Sequence, residues 1–569
     1  MVAILTFCHS MGAMAQEVES YQPDTMKVDW YVSPKDEILL PSFRETFAKI
    51  NRRLPEQIDK DLSDEQQIEI EEPQFAWVYI TGLTTIPTNT TIKHQVNIEV
   101  YDGRGNYFSK RAWIKGQGGW SLKYPKRNFS CQFFENEPNG NTNTEIRIGR
   151  WVRQDAFHFK AFYTDYFRGI GEIGYKLFSY IVADRPPYWE RGGYMETSKR
   201  ARCFPDGFPC AVYLDGRYIG IYAWQLKKSR KNMNMDKTQE MHIHLDGSLN
   251  NGTIFQGTVK WQQFAIQHPK NQYVTQNTKD AIIQLSKYNA EMTELEKSGA
   301  DSITIKQEFE KRFDIASLID YDVFYQFVCN VDGSLKNWQW FTYDGQKWMV
   351  TPYDLDQIFG LNLYGVVRPA HWEHSQLTEG PFIWVFRYYK DELRQRYIEL
   401  RQNGAISADN ILPIIRDWYD RVTQTMYEQE KVLWPDSPCY GEAICNNGWK
   451  VSQEWSLYTS TPDFSTAKLY QAGDVCKLEG RLWEATKNVI GVQPFKRNSQ
   501  LDSLQRLEKW VEQRIEFLDM QYQMPQIPLK IDSNTQAKSN DVFYNIMGLP
   551  VKHPRKGIYI VNGKKVFIK

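Results

Sequence analysis

An α+β fold, with a β-rich part leading into a helical part, is what the sequence predicts, and three observations predict it. Apolar and polar residues alternate with period two between 76 and 134, separated by Gly and Asn turns. Beyond residue 279, apolar residues recur instead at helical spacing over several long stretches. One helical segment, 165–182, lies between two sets of strands. That order implies two lobes, β-rich then helical, with a cleft between them.

The start, "MVAILTFCHSMGAMAQ", is a short apolar run ending in Ala13-Met14-Ala15 before Gln16, the small-residue pattern that a signal peptidase requires. It lacks a basic beginning, but residues 1–16 are expected to be an export leader. Residues 17–74 are a polar, charge-rich lead-in. Strands are expected in "FAWVYITGL" (75–83), "HQVNIEVYDG" (94–103) and "RNFSCQFF" (127–134). In "DYFRGIGEIGYKLFSYIV" (165–182) the helical pattern carries Gly169, Gly171 and Gly174, which weaken it. A hairpin follows in "PCAVYLDGRYIGIYAWQLK" (209–227), turning at Asp215-Gly216. Helices are expected over 279–299, 314–330, 390–404, 408–434 and 504–523, with a second hairpin at 338–354 turning at Asp344-Gly345.

Composition narrows function more by exclusion. The 569 residues include 69 Lys+Arg and 69 Asp+Glu, so no basic field collects nucleic acid. A mean hydropathy of -0.58 and the lack of any stretch of about 18 apolar residues argue against a membrane span. The aromatic content of 14% suggests a protein that faces sugars or cell-surface material. Of the eight cysteines, Cys203 with Cys210, and Cys439 with Cys445, are close enough in sequence to pair in an oxidising compartment.

The densest chemistry lies in "NVDGSLKNWQWFTYDGQKWMVTPYDLDQIFG" (330–360). Asp332 follows a helix, and Asn337 comes five residues later. In phosphoryl transfer such spacing lets an aspartate accept a hydroxyl proton while an asparagine ligates a metal on the phosphates. The hairpin then delivers Asp354 and Asp356 at a strand end, where carboxylates suit a hard divalent cation. The same oxygens could serve calcium, though that ion wants more carboxylates in one loop. His371-Trp372-Glu373-His374 is the other metal-like cluster, and without a third ligand nearby it reads as a polar surface turn.

These residues resemble the signature of the CotH kinase family, secreted and spore-coat kinases with N-x-D, an Asn, then P-W-D-x-D and a trailing F-G; Tyr353 stands here for the Trp. "IKGQGGWSLKYPKRNFSCQFF" (114–134) is similar to the family's glycine turn, basic pair and strand. "FHFKAFYTDYFRGIGEIGYKLF" (157–178) resembles its strand, Asp and helix-starting Arg, and "AVYLDGRYIGIYAWQLKK" (211–228) its hairpin. The resemblance spans about 75–525 and implies a two-lobed, atypical protein-kinase-like fold. It also implies transfer of the γ-phosphate of ATP, with Mg²⁺ or Mn²⁺, to Ser/Thr hydroxyls of a secreted or surface protein.

On that resemblance Asp332 is the catalytic base, and Asn337, Asp354 and Asp356 are the metal ligands. Amides of Gly116, Gly118 and Gly119 would cap phosphates. Lys126 is the expected phosphate-pairing cation, with Lys123, Lys160 and Arg168 as rivals; Arg168 could instead pair structurally with Asp165. Where the family carries a Glu after the second hairpin, this chain has Leu226, which leaves open a catalytically silent pseudokinase acting as a surface or glycan-binding protein. Two appended segments carry further resemblances. Residues 465–500 resemble small chitin- and cellulose-binding modules, with Tyr470 and Trp483 as a sugar-stacking platform or, alternatively, as the core of a mini-sheet. Residues 526–569 resemble the sorting-domain strands of some Gram-negative secreted proteins, or form an ordinary hairpin at Asn562-Gly563. Localisation is accordingly expected to be secreted, periplasmic or cell-surface.

Overall fold

The computed structural model describes residues 67–525, with breaks at 103–106, 135–142, 247–253, 362–369, 372–376, 440–447, 453–459, 479–480 and 495–499 and at single positions, and four short strands between 543 and 568. The expected leader, most of the lead-in, Cys445 and Trp372 to His374 lie outside the described residues. Helices and strands are both abundant, in keeping with the α+β class. Among the described residues no helix is long and apolar enough to cross a membrane.

The chain divides into two compact units. The first holds the described part of Met1–Tyr163 with Gly207–Lys227 and Thr425–Ser437. After a short edge strand β1 (Gln67–Ile70), its strands are β2 (Ala76–Thr81), β3 (His94–Tyr101), β4 (Tyr107–Gly116), β5 (Phe129–Phe134), β6 (Glu145–Ile148), β7 (Ala156–Lys160), β8 (Gly207–Leu214) and β9 (Arg217–Leu226). Seven of them close a barrel in the order β2-β3-β4-β5-β7-β9-β8. Alternation dictates its inner face: Val96, Ile98 and Val100 on β3 and Phe108, Ala112 and Ile114 on β4 point into one core. The seam is the parallel pair β2-β8, with Val78 opposite Val212. Strands β8 and β9 are buried along almost their whole length, and their turn has Asp215 at φ 45° and Gly216 at φ 84°, the left-handed pair of a tight hairpin.

The second unit comprises Thr164–Asp206, Lys228–Gln424 and Pro438–Lys569. It contains a four-stranded antiparallel sheet in the order β11-β10-β12-β13, formed by β10 (Ile243–Asp246), β11 (Ala265–His268), β12 (Trp338–Thr342) and β13 (Met349–Pro352). The sequence reading found the β12-β13 hairpin but not β10 and β11. Their four-residue runs carry His, Asp and Gln, so no alternation marks them. Around the sheet lie α1 (Ile170–Ile181), α2 (Gln276–Lys297), α3 (Ser302–Arg312), α4 (Ile315–Val328), α5 (Phe382–Tyr388), α6 (Lys390–Gln402) and α7 (Ala408–Val422). Helix α4 is buried on every side, so its apolar residues form no stripe. The single helix expected over 408–434 is two: Thr423, at φ 69° and ψ 149°, separates α7 from α8 (Gln424–Leu433).

Trp449, Tyr470, Cys476, Trp483, Ala485 and Val489 form the core of a small β module built from β14 (Trp449–Val451), β15 (Leu469–Tyr470), β16 (Val475–Leu478), β17 (Arg481–Ala485) and β18 (Val489–Ile490). Tyr470 and Trp483 are each 1% exposed, so these two rings are core plugs and not a sugar-facing platform. The wider aromatic excess has the same explanation, since Trp151, Trp224, Trp338, Trp340, Trp348, Trp384 and Trp510 are also fully buried. Cys203 and Cys210 carry free, buried thiols, so the expected pairing between them is absent. Helix α9 (Gln500–Gln521) precedes a small terminal sheet of β19 (Phe543–Tyr544), β20 (Pro550–Val551), β21 (Gly557–Val561) and β22 (Lys564–Ile568), in which Val561 lies opposite Lys564.

Candidate active site

Helix α4 is stopped by Cys329, at φ 50°, and the chain turns through Val331–Gly333, which brings Asp332 off the helix end. The Asp332 carboxylate is then surrounded by donors. Its Oδ2 accepts Asn337 Nδ2 at 2.6 Å and Gln357 Nε2 at 3.3 Å, and its Oδ1 pairs with Lys336 Nζ at 3.0 Å. Tyr353 N donates to Asn337 O at 3.0 Å, continuing the β12-β13 pairing one step past the sheet. This registers Asp354 beside the Asp332–Asn337 turn. Asn337 and Asp354 both hold left-handed backbone, φ 64° and φ 51°, a costly geometry for residues other than glycine and one that concentrates at functional sites.

Electrostatics ties the group together. Burial holds the Asp332 carboxyl above the ordinary carboxylate range; Asp354 pushes the same way, while Lys336 and Asn337 oppose. Burial pulls Lys336 down, but the charge of Asp332, then those of Asp356 and Asp354, more than offset it and hold its ammonium above the ordinary lysine value. Behind Tyr353 lies a buried polar chain. Lys228 pairs with Asp246 and sits 3.7 Å from the centroid of the Tyr353 ring. Asp246 Oδ1 accepts Gln339 Nε2 at 3.0 Å, and His244 Nε2 lies 2.7 Å from Gln339 Oε1. Burial pushes His244 down to about 4, so the neutral ring donates to that amide oxygen.

The remaining expected residues have contacts of their own. Gly116 N donates to Asn89 O at 2.8 Å, so that amide is already engaged and is removed from the set that could cap a phosphate. Gly118 and Gly119 lie in the turn leading into the short helix Trp120–Lys123, where Lys123 is exposed. Lys126 is wholly buried in the first unit: its Nζ pairs with Glu430 at 2.5 Å, donates to Ile221 O, and lies 4.7 Å from the Tyr222 ring centroid. Gly220, at φ 119°, makes room for the pair, since a Cβ there would come within 2.6 Å of Glu430 Oε2 and 2.9 Å of Lys126 Cε. Lys160 is buried at the end of β7. Arg168 is buried in the second unit with Nη1 on Asp165 O at 2.8 Å, while the Asp165 carboxylate accepts the amides of Phe167, Gly169 and Ile170 and caps α1.

Three functional contacts escaped the sequence reading. Lys336 was visible as the residue before Asn337, four positions after Asp332. Gln357 carried no signal. Glu430 stands 304 positions from Lys126, so nothing local pointed to it.

A family model described as CotH kinase protein matches residues 114–446, more than half of the chain. The chain belongs to the CotH kinase family. The matched span includes the glycine turn, Lys126, Arg168, the whole of 330–360 and Glu430, so the CotH resemblance read from the motifs is upheld over the segment that carries the chemistry. Membership in the CotH family indicates a kinase-like function, and with it the general use of ATP and a divalent metal. No curated protein matches the chain.

Proposed function

We propose that this protein is a secreted CotH-type kinase that transfers the γ-phosphate of ATP to Ser/Thr hydroxyls of a secreted or surface protein. One observation carries the reading: Asp332, Asn337 and Asp354 converge within a single compact unit, with Asp332 oriented by the amide of Asn337. In the reaction the acceptor oxygen bonds to the γ-phosphorus, the bond from that phosphorus to the β-phosphate bridging oxygen breaks, and ADP leaves. The hydroxyl proton passes to Asp332. A carboxylate raised above its ordinary range by burial is a better base near neutrality than an exposed one.

The residues fit a divalent cation. The Nδ2 end of Asn337 is committed to Asp332, so its amide oxygen is the end suited to a metal, and Asp354 and Asp356 add carboxylate oxygens. Among the described residues no three His, Cys, Asp or Glu side chains are grouped to hold a metal. Two carboxylates and an amide suit Mg²⁺ or Mn²⁺, which bind through few protein ligands together with nucleotide phosphates. Such an ion, when bound, supplies neutralisation of the charge on the β- and γ-phosphate oxygens. With Leu226 where the family carries a Glu, a catalytically silent pseudokinase is the alternative, and absence of transfer by the wild type is its signature. Export is supported by the small-residue pattern before Gln16.

The test is transfer from γ-labelled ATP with Mg²⁺ or Mn²⁺ to the protein itself and to a basic or casein-like acceptor. Asp332→Asn is expected to lower transfer on the order of 100- to 10,000-fold, the usual contribution of a positioned base. Asp354→Asn is expected to abolish metal-dependent transfer. Equal labelling by the wild type and both variants would show that the incorporation does not come from this site.

A further inference from the structure

We propose that Lys336 is the cation that contacts the transferred phosphoryl group, exchanging its place on Asp332 for the γ-phosphate; this rests on the kinase reading above. Three of the other cations weighed for a phosphate are badly placed to move. Lys126 is enclosed by Glu430, Ile221 O and the Tyr222 ring, Lys160 is buried, and Arg168 is buried with its guanidinium on Asp165 O. Lys336 is different. Its side chain is 44% exposed and reaches Asp332 on a flexible four-carbon stem.

The contacts of Asp332 point to Oδ1 as the place of that exchange. Both of its oxygens are engaged, Oδ2 by Asn337 and Gln357 and Oδ1 by Lys336. Each carboxylate oxygen has two lone-pair sites, so the two donors on Oδ2 fill it, while Oδ1, with Lys336 on it, is the oxygen with room for the acceptor hydroxyl. Asn337 cannot readily let go, being buried, in left-handed backbone, and fastened through its carbonyl to Tyr353 N. Lys336 can, so Oδ1 is the oxygen that opens to the acceptor hydroxyl. The released ammonium then lies within a side chain's reach of the oxygens that gain charge as the bond from the γ-phosphorus to the bridging oxygen breaks.

The experiment is calorimetric titration of the full chain with Mg–ATP and with Mg–ADP, for the wild type, Lys336→Met and Lys336→Arg. A lost charge-assisted hydrogen bond to the γ-phosphate should weaken ATP binding by Lys336→Met on the order of ten- to a hundredfold and leave ADP binding unchanged, with Lys336→Arg recovering part of the loss. Affinity for ADP serves as the folding control. Unchanged ATP affinity in Lys336→Met, or an equal loss for both nucleotides, would overturn the role of Lys336 while the kinase reading stands on the wild-type binding. A wild type that binds neither nucleotide would overturn both.

Discussion

Gly169 shows how a single residue constrains the helix that begins the second unit. A Cβ at this position would come within 1.8 Å of Trp418 Cζ2 and 2.0 Å of Cε2. The ring cannot simply swing away, because Trp418 Nε1 donates to Phe167 O at 3.0 Å and its indole is buried. In the sequence, Gly169, Gly171 and Gly174 weaken the helical reading of 165–182, since glycine is a poor helix former. The structure gives two of them a packing reason, for Gly174 likewise lies against Leu355 and Ile358. Gly169→Ala is therefore expected to destabilise by about 1–3 kcal/mol, the cost of overpacking a well-filled core, and more than the same change at Gly119, which has a negative φ and where a Cβ meets nothing. Urea unfolding of the two variants checks this, and an equal midpoint shift would mean that the Trp418 ring yields freely.

At the scale of the element, α4 carries a group whose titration its sequence does not advertise. Asp314 caps its start by accepting Ser317 N at 2.9 Å, and its apolar residues read as a helix without difficulty. What periodicity could not reveal is that α4 is buried all round, which puts Asp322 in the core beside Gln326, whose Nε2 donates to Asp322 Oδ1 at 2.7 Å. Burial pushes the Asp322 carboxyl up to about 7, with the Gln326 contact opposing. The folded state thus holds a proton that the unfolded chain releases near the ordinary carboxyl value of 3.8. Between those limits the native state binds more protons, so this group's contribution to stability falls as pH rises, and its cost is complete above the folded value. Asp322→Asn, which mimics the protonated carboxyl and keeps the acceptor for Gln326, should match the wild type near pH 4. At pH 8 it should be more stable on the order of 2–4 kcal/mol. Thermal unfolding of both proteins across pH 4–8 measures this; a difference that does not grow with pH would show that Asp322 ionises normally.

At the scale of the whole molecule, what was legible in the sequence is what is local. Strands β2, β3 and β5 declare themselves by alternation and the β8-β9 hairpin by its Asp-Gly turn, and the residues from Asp332 to Asp356 lie in order within one short stretch, so their chemistry could be read before their geometry. Long-range closure could not. The first unit is assembled from three separate segments, and the last, Thr425–Ser437, reads in sequence as the tail of a longer helix. Its purpose appears only in the fold: Glu430 accepts Ile221 N at 2.8 Å through Oε2 and pairs with Lys126 through Oε1, while Trp434 Nε1 donates to Ile219 O at 3.2 Å. The strained Thr423 that ends α7 is the local cost of delivering them. A buried pair like this adds little over an apolar replacement, but either partner left alone is an uncompensated charge in the core. Lys126→Met and Glu430→Gln should therefore differ in a diagnostic way. The first strands the Glu430 carboxylate and should cost about 3–5 kcal/mol. Adding Glu430→Gln to it removes that stranded charge and keeps an acceptor for Ile221 N, so the double variant should be more stable than Lys126→Met alone. Urea unfolding of the two singles and the double closes the cycle, and strictly additive effects would mean that Lys126 and Glu430 are not coupled and that the third segment is held by its apolar contacts and Trp434 instead.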